Sequence, residues 1–339
     1  MSPTDGCISR ILCLDGGGIR GVMSAIWLAR LEELTGRKVH DLFDLVAGTS
    51  TGGILACGVG LGIPAADIVK LYKERGREIF PAAPSRMWGR LGRAFTQGFS
   101  APKYSDDGLK RTLQSEFGDA AFGELRIKPT LITAYNTLTR QAVVLKNTKP
   151  EHASLPVWQV AQATASAPTY FPAALLKIQG ADSPLIDGGV VANNPTACAI
   201  AEAVRRNGDA NTGKGLADLT VLSLGTGHTT RPISIVESRE WGALEWAVPV
   251  IDVLMDGTAD ATEYIAQQLL PAERYFRLQT VLDKAFDDMD DASQTNINAL
   301  MNLANEYLSR CGDAALKAIA PFLTAPPAPP PPPPAPPAP

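Results

Sequence analysis

Twice in its first 53 residues the chain runs a short apolar stretch straight into glycines and then into a helical pattern. Ile11-Leu12-Cys13-Leu14 meets Asp15-Gly16-Gly17-Gly18, and apolar residues then recur at helical spacing over 23–34. Phe43-Asp44-Leu45-Val46-Ala47 likewise meets Gly48-Thr49-Ser50-Thr51-Gly52-Gly53, before helical stretches over 54–59 and 65–79. Short, wholly apolar strands are buried on both faces, and strands that alternate with helices lie parallel in a sheet covered on each side. The fold expected is therefore α/β, a three-layer sandwich around a mostly parallel central sheet.

The pattern continues along the chain. Residues 129–135 and 142–145 predict strands, 157–165 a helix, Leu185-Ile186 a strand end before Asp187-Gly188-Gly189, 196–205 a helix, and 219–224 a strand running into Gly225-Thr226-Gly227. Within 293–320, Ile297, Leu300, Met301, Leu303, Ala304 and Leu308 keep three-and-four spacing and predict a closing helix. Three segments result: a main α/β domain over 8–227, a helical extension over 228–323 packed on it, and a tail over 325–339 made only of Ala and Pro. Such a tail favours an extended polyproline II spacer, with docking to a proline-recognition domain as the alternative.

With 45% hydrophobic and 19% charged residues the chain has the makings of an ordinary packed globule, and a net charge of -4 gives no drive toward nucleic acid. The run at 11–14 is too short for a signal-peptide core, and the five scattered cysteines suit reduced thiols, so a cytoplasmic placement is expected. The three histidines lack paired-ligand spacing. No metal or other cofactor is expected.

Gly48-Thr49-Ser50-Thr51-Gly52 matches G-x-S-x-G, a sharp strand-to-helix turn that exposes the serine oxygen at the edge of a sheet. Two ligands fit the earlier turn, whose backbone N–H groups converge ahead of a helix. A dinucleotide needs Gly16, Gly18 and Gly21 in G-x-G-x-x-G plus an acid ending a second strand, but the residues before Asp41 and Asp44 do not form an apolar strand. An ester oxyanion formed by attack of Ser50 needs only the N–H groups, each worth about 3 kcal/mol in such sites. Serine also needs a base. Asp187, projecting from a strand end before two glycines, fits that role when burial raises its pKa, and a turn-forming aspartate is the alternative. Ser50, Asp187 and His228 also follow the chain order of an α/β-hydrolase triad, although the neighbouring Thr229-Thr230 suit a polar surface loop.

Taken together, DGGGIRG at 15–21, GTSTGG at 48–53 and DGG at 187–189 resemble the three signature blocks of the patatin-like phospholipases, in the same order. The segments 165–172 and 191–195 are similar to connecting stretches of that family, so the resemblance spans roughly 8–227. It implies a Ser-Asp dyad of Ser50 and Asp187, and an oxyanion hole at Gly17 and Gly18 helped by Gly16 and Arg20, with Arg20 also placed to meet a lipid phosphate. Gly21, Gly48, Gly52, Gly188 and Gly189 complete the motifs. The implied substrates are phospholipids or other acyl lipids, cleaved without a metal.

A lipase must draw its substrate from an aggregate. Residues 81–104 interleave Arg86, Arg90 and Arg93 with Trp88 and Phe95 and hold no acid, which suits peripheral contact with an anionic membrane; a lid packed on the core is the alternative. Two further roles fit the same scaffold: a non-catalytic storage or binding protein, and an effector switched on by an activating ligand or by homo-oligomer formation.

Overall fold

The computed structural model describes residues 7–80, 102–228, 232–246, 249–285 and 287–325. The segment 81–101, with Arg86, Trp88, Arg90, Arg93 and Phe95, and all but the first residue of the Ala/Pro tail lie outside them.

Eight strands form one sheet: β1 (Arg10–Leu14), β2 (Leu45–Gly48), β3 (Thr130–Asn136), β4 (Gln141–Lys146), β5 (Ala174–Ile178), β6 (Ala181–Asp187), β7 (Thr220–Leu224) and β8 (Tyr275–Leu278). Their order is β5-β6-β3-β2-β1-β7-β8, with β4 also on β3. The helices that matter for the site are α1 (Gly21–Thr35), α2 (Thr51–Leu61), α3 (Ala65–Ile79), α4 (Val157–Thr164), α5 (Thr196–Asp209) and α6 (Pro249–Leu269), followed by α7 (Gln294–Tyr307) and α8 (Asp313–Thr324).

Side chains alternate across the sheet and separate two cores. On β1, Leu12 and Leu14 join the large cluster beneath α1, α2 and α7, while Ile11 and Cys13 join a smaller one with Ala199, Ile200 and Ala203 of α5 and Ala266 of α6. Burial on both faces is why these strands carry no polar alternation.

As expected, most of the sheet is parallel: β3, β2, β1, β7 and β8 run the same way, while β4 and β6 pair antiparallel with β3, and β5 with β6. β5 was not legible because it lies at the sheet's edge, where Leu175 is exposed and Lys177 breaks the apolar run. Two expectations need correction. The closing helix is two helices joined by a π-helical turn over Leu308–Gly312. The expected helical extension also supplies a strand, β8, which joins the sheet beside β7.

One pairing decides the site. Thr130, Leu131 and Ile132 of β3 pair with β2, while Ala134, Tyr135 and Asn136 pair with β6. β4 covers β3 from Leu131 to Asn136 and takes its other edge. β2 and β6 therefore share one edge end to end, with their C-terminal ends meeting at Thr133.

β8 is fastened to the first turn as well as to β7. Arg277 donates to Asp15 at 2.6 Å, to Glu263 at 3.2 Å and to Ser223 Oγ at 2.9 Å, with its side chain only 7% exposed. Burial raises the Asp15 carboxyl pKa and the Arg277 guanidinium opposes that rise. Removing one partner of a buried pair costs ~3–5 kcal/mol. Arg277→Leu should lower the urea midpoint accordingly, and by more at pH 8 than at pH 5, where Asp15 can take up a proton; an unchanged midpoint would show that the pair stabilises nothing.

Candidate active site

Ser50 follows β2 and precedes α2, and its backbone is turned to φ 54°, ψ −123°, a conformation that side chains other than glycine rarely adopt. Such strain costs about 1–3 kcal/mol and persists only where neighbours hold it. Here the Ser50 N–H donates to Thr164 Oγ1 of α4 at 2.8 Å. The turn is also compressed: a Cβ on Gly52 would stand 2.2 Å from the Leu14 carbonyl oxygen, so no larger residue fits between β1 and the nucleophile turn.

Asp187 ends β6 at the same junction. Ser50 Oγ donates to Asp187 Oδ2 at 2.6 Å, and the Gly189 N–H donates to Oδ1 at 2.7 Å. The Asp187 N–H is tied to the Ser166 carbonyl at 3.0 Å, which fixes the strand end. Asp187 is fully buried, and burial raises its pKa to about 7 despite the opposing hydrogen bonds from Ser50 and Gly189. Both carboxylate oxygens are thus engaged, one by the serine itself, and no imidazole stands between them. His228 is exposed on a loop whose backbone pairs with Thr280 and Leu282.

The glycine turn 15–18 lies beside this pair. Gly18 has φ 58°, and a Cβ there would sit 2.1 Å from the Met289 carbonyl oxygen. The N–H of Gly16 is already bonded to the Asn193 carbonyl at 3.1 Å, which corrects its expected role as a helper donor. Among the described residues the N–H groups of Gly17 and Gly18 have no hydrogen-bond partner. Arg20 is buried, its Nε donating to the Gly17 carbonyl at 3.3 Å and Nη1 to that of Asp287 at 3.4 Å, so its guanidinium braces the turn. Burial lowers its pKa, opposed by Asp256, Asp252 and Asp287. The remaining motif glycines mark close packing, Gly21 on Thr51, Gly48 on Gly52, Gly188 on Thr133 and Gly189 on Met255.

Three contributors were not singled out by sequence reasoning. Thr164 and Ser166 anchor the two halves of the pair from a helix end with no motif of its own. Asn193 stands over Gly16 with its Oδ1 buried and unpartnered among the described residues; the segment 191–195 had been noted only as a connection.

Ser50 and Asp187 open into a cleft walled by Ile19, Ile54, Tyr72, Ile79, Phe80, Leu109 and Phe171. Its apolar walls suit a hydrocarbon chain, and a hydroxyl paired with a buried carboxylate suits attack on an acyl group. The class that this fold and cleft define is the lipid hydrolases.

Known proteins make the class specific. Residues 12–200 match the family model described as patatin-like phospholipase, and the chain belongs to that family. Patatin-like protein 1 of Arabidopsis thaliana is 29% identical, over 91% of this chain and 83% of its own. The cGAMP-activated phospholipase of Pseudomonas aeruginosa is 30% identical over 93% of this chain and 90% of its own. Among solved structures, VipD from Legionella pneumophila covers 88% of this chain and 67% of its own at 13% identity, with a TM-score of 0.41.

An acid held at a raised pKa binds its proton more tightly folded than unfolded. For Asp187 the stability this gives is complete below about 3.8, its ordinary value, and is lost as the pH rises through about 7. Asp187→Asn can still accept from Gly189 and can donate to Ser50. It should match wild type in melting temperature at pH 4 and exceed it at pH 8, by up to ~4 kcal/mol in stability. A variant no more stable than wild type at pH 8 would mean that the ionised carboxylate costs the fold nothing.

Proposed function

We propose that this chain is a phospholipase A or lysophospholipase type enzyme that cleaves acyl esters through a Ser50–Asp187 dyad and an acyl-serine intermediate. The observation that carries this reading is the 2.6 Å bond from Ser50 Oγ to a buried Asp187 at the base of an apolar cleft.

In the first half-reaction Asp187, as carboxylate, takes the Ser50 hydroxyl proton while Oγ adds to the acyl carbonyl. The new oxyanion is received by the N–H groups of Gly17 and Gly18. Collapse expels the alkoxide of the lysolipid, which takes the proton from Asp187, and leaves acyl-Ser50. Water then adds to the acyl carbon as Asp187 takes its proton. The second collapse releases the fatty acid and returns that proton to Ser50 Oγ.

A carboxylate is normally too weak a base for this step. Burial narrows the gap by bringing Asp187 to about 7, at the cost of an inactive protonated form below that pH. Against a triad stand the direct Ser50–Asp187 bond and the exposed position of His228. A regulated effector is a second reading, favoured by the relative named as a cGAMP-activated phospholipase, which aligns over 93% of this chain. Latency of the purified protein, relieved by cGAMP or another ligand, is the behaviour it predicts.

Hydrolysis of p-nitrophenyl acyl esters and of phospholipids in mixed micelles tests the assignment. Ser50→Ala and Asp187→Asn should each lower kcat by about 1,000-fold or more, and His228→Ala by less than about twofold. Loss of activity in His228→Ala would move the base to a histidine.

The pH profile gives a second test. Because the ionised carboxylate is the base, kcat/KM should fall about tenfold per pH unit below an apparent pKa of about 7 and level off above it. A profile flat between pH 5 and 8 would exclude Asp187 as the titrating base.

A further inference from the structure

One wall of the cleft is polar. Asp290 lines it together with Tyr170, facing the same space as Ser50 and Asp187. The Asp290 side chain is 5% exposed, and its Oδ2 accepts from Lys103 Nζ at 2.6 Å and from the Tyr104 hydroxyl. The same ammonium lies over two rings, 5.2 Å from the centroid of Tyr170 and 5.7 Å from that of Tyr104. Two backbone bonds, Lys103 N–H to Thr169 O and Tyr104 N–H to Tyr170 O, hold the two aromatic segments side by side, and Phe171 packs on Tyr104 at 5.6 Å.

A buried carboxylate combined with two ring faces is a cation receptor, because the ring quadrupoles and the charge act on the same guest. Its guest here is the chain's own primary ammonium, on a side chain one-third exposed and so able to leave toward water. The surrounding carboxylates favour a cation further: burial is the main cause that raises the Tyr170 hydroxyl pKa, and Asp252, Asp290 and Asp288 raise it more through their negative charge, with Arg20 opposing them.

We propose that Asp290, Tyr104 and Tyr170 form a headgroup subsite for a primary ammonium, occupied by Lys103 in this structure and taken over by the ethanolamine headgroup of a phospholipid substrate. The subsite rests on the lipid-hydrolase reading above and goes beyond it by naming the headgroup. A primary ammonium keeps the N–H donors that the 2.6 Å contact with Asp290 requires. Choline, with three methyl groups, has none, and a glycerol headgroup has no positive charge.

The test compares kcat/KM for dioleoyl phosphatidylethanolamine, phosphatidylcholine and phosphatidylglycerol in mixed micelles, with a p-nitrophenyl ester as the headgroup-free reference. Wild type should prefer the ethanolamine lipid by about tenfold, and Asp290→Asn should abolish that preference. Lys103→Ala, which removes the competing ammonium, should raise turnover of the ethanolamine lipid several-fold and leave the choline lipid unchanged. This variant decides the matter if Asp290→Asn fails to fold. Equal use of the three lipids, a preference that survives Asp290→Asn, or a loss of phosphatidylglycerol turnover in Lys103→Ala would overturn the subsite; the last would make Lys103 a phosphate ligand. If wild type cleaves neither the ester nor any lipid, with cGAMP present or absent, the hydrolase reading fails. The subsite is then decided by NMR titration of the tyrosine rings, where glycerophosphoethanolamine should shift them and glycerophosphocholine should not; the reverse would dispose of it.

Discussion

A β-strand has two edges, and β3 gives one of them to two partners at once. β2 runs parallel along the first half and stops at Gly48, while β6 arrives antiparallel along the second half and stops at Asp187. Backbone hydrogen bonds fix both strand ends in register, so the residues just beyond them are held without depending on flexible side chains. Ser50 and Asp187 are 137 positions apart in sequence, yet they meet at 2.6 Å because two strands abut on a third. Thr133 marks the junction, its hydroxyl 2.6 Å from that of Thr49. The tight glycines follow from the same constraint, since Gly188 lies against Thr133 and Gly48 against the start of α2.

Bringing a carboxylate to that junction has an electrostatic consequence. Asp187 is fully buried, so the ionised form is disfavoured and its pKa is raised to about 7. The same burial that weakens the fold at high pH makes Asp187 a stronger base, a trade-off common at sites where function requires a locally unfavourable arrangement. Around it the protein resolves other charges differently. Asp15 is also buried, but it is matched by Arg277 from β8, so the first turn is braced by a residue from the far end of the chain. Arg20 braces that turn from its other side through the Gly17 carbonyl.

Much of this was legible in the sequence, for identifiable reasons. β1, β2 and β7 are largely apolar because both their faces are covered, and each ends at a glycine turn. Ser50, Asp187 and the glycine turn carried local signals that need no knowledge of the fold. β5 and β8 carried none: β5 lies at an edge, and β8 is only four residues, three half-buried ones and a buried Leu278. Gly16 read as a donor, but its N–H is taken by the carbonyl of Asn193, a partner 177 residues away. Asp290, Lys103, Tyr104 and Tyr170 come from three separate stretches with no motif among them.

Local chemistry by itself therefore determined the α/β class, the candidate serine and its candidate carboxylate, and the glycine positions, because each depends on a few consecutive residues and on a period that the chain carries openly. The tertiary structure alone decided which strands pair antiparallel, that β2 and β6 abut on β3, that serine and carboxylate touch with no histidine between them, and that an ammonium is held at the wall of the cleft. These depend on which strand edges pair and on which distant side chains are buried together, and such choices are made by the packing of the whole chain.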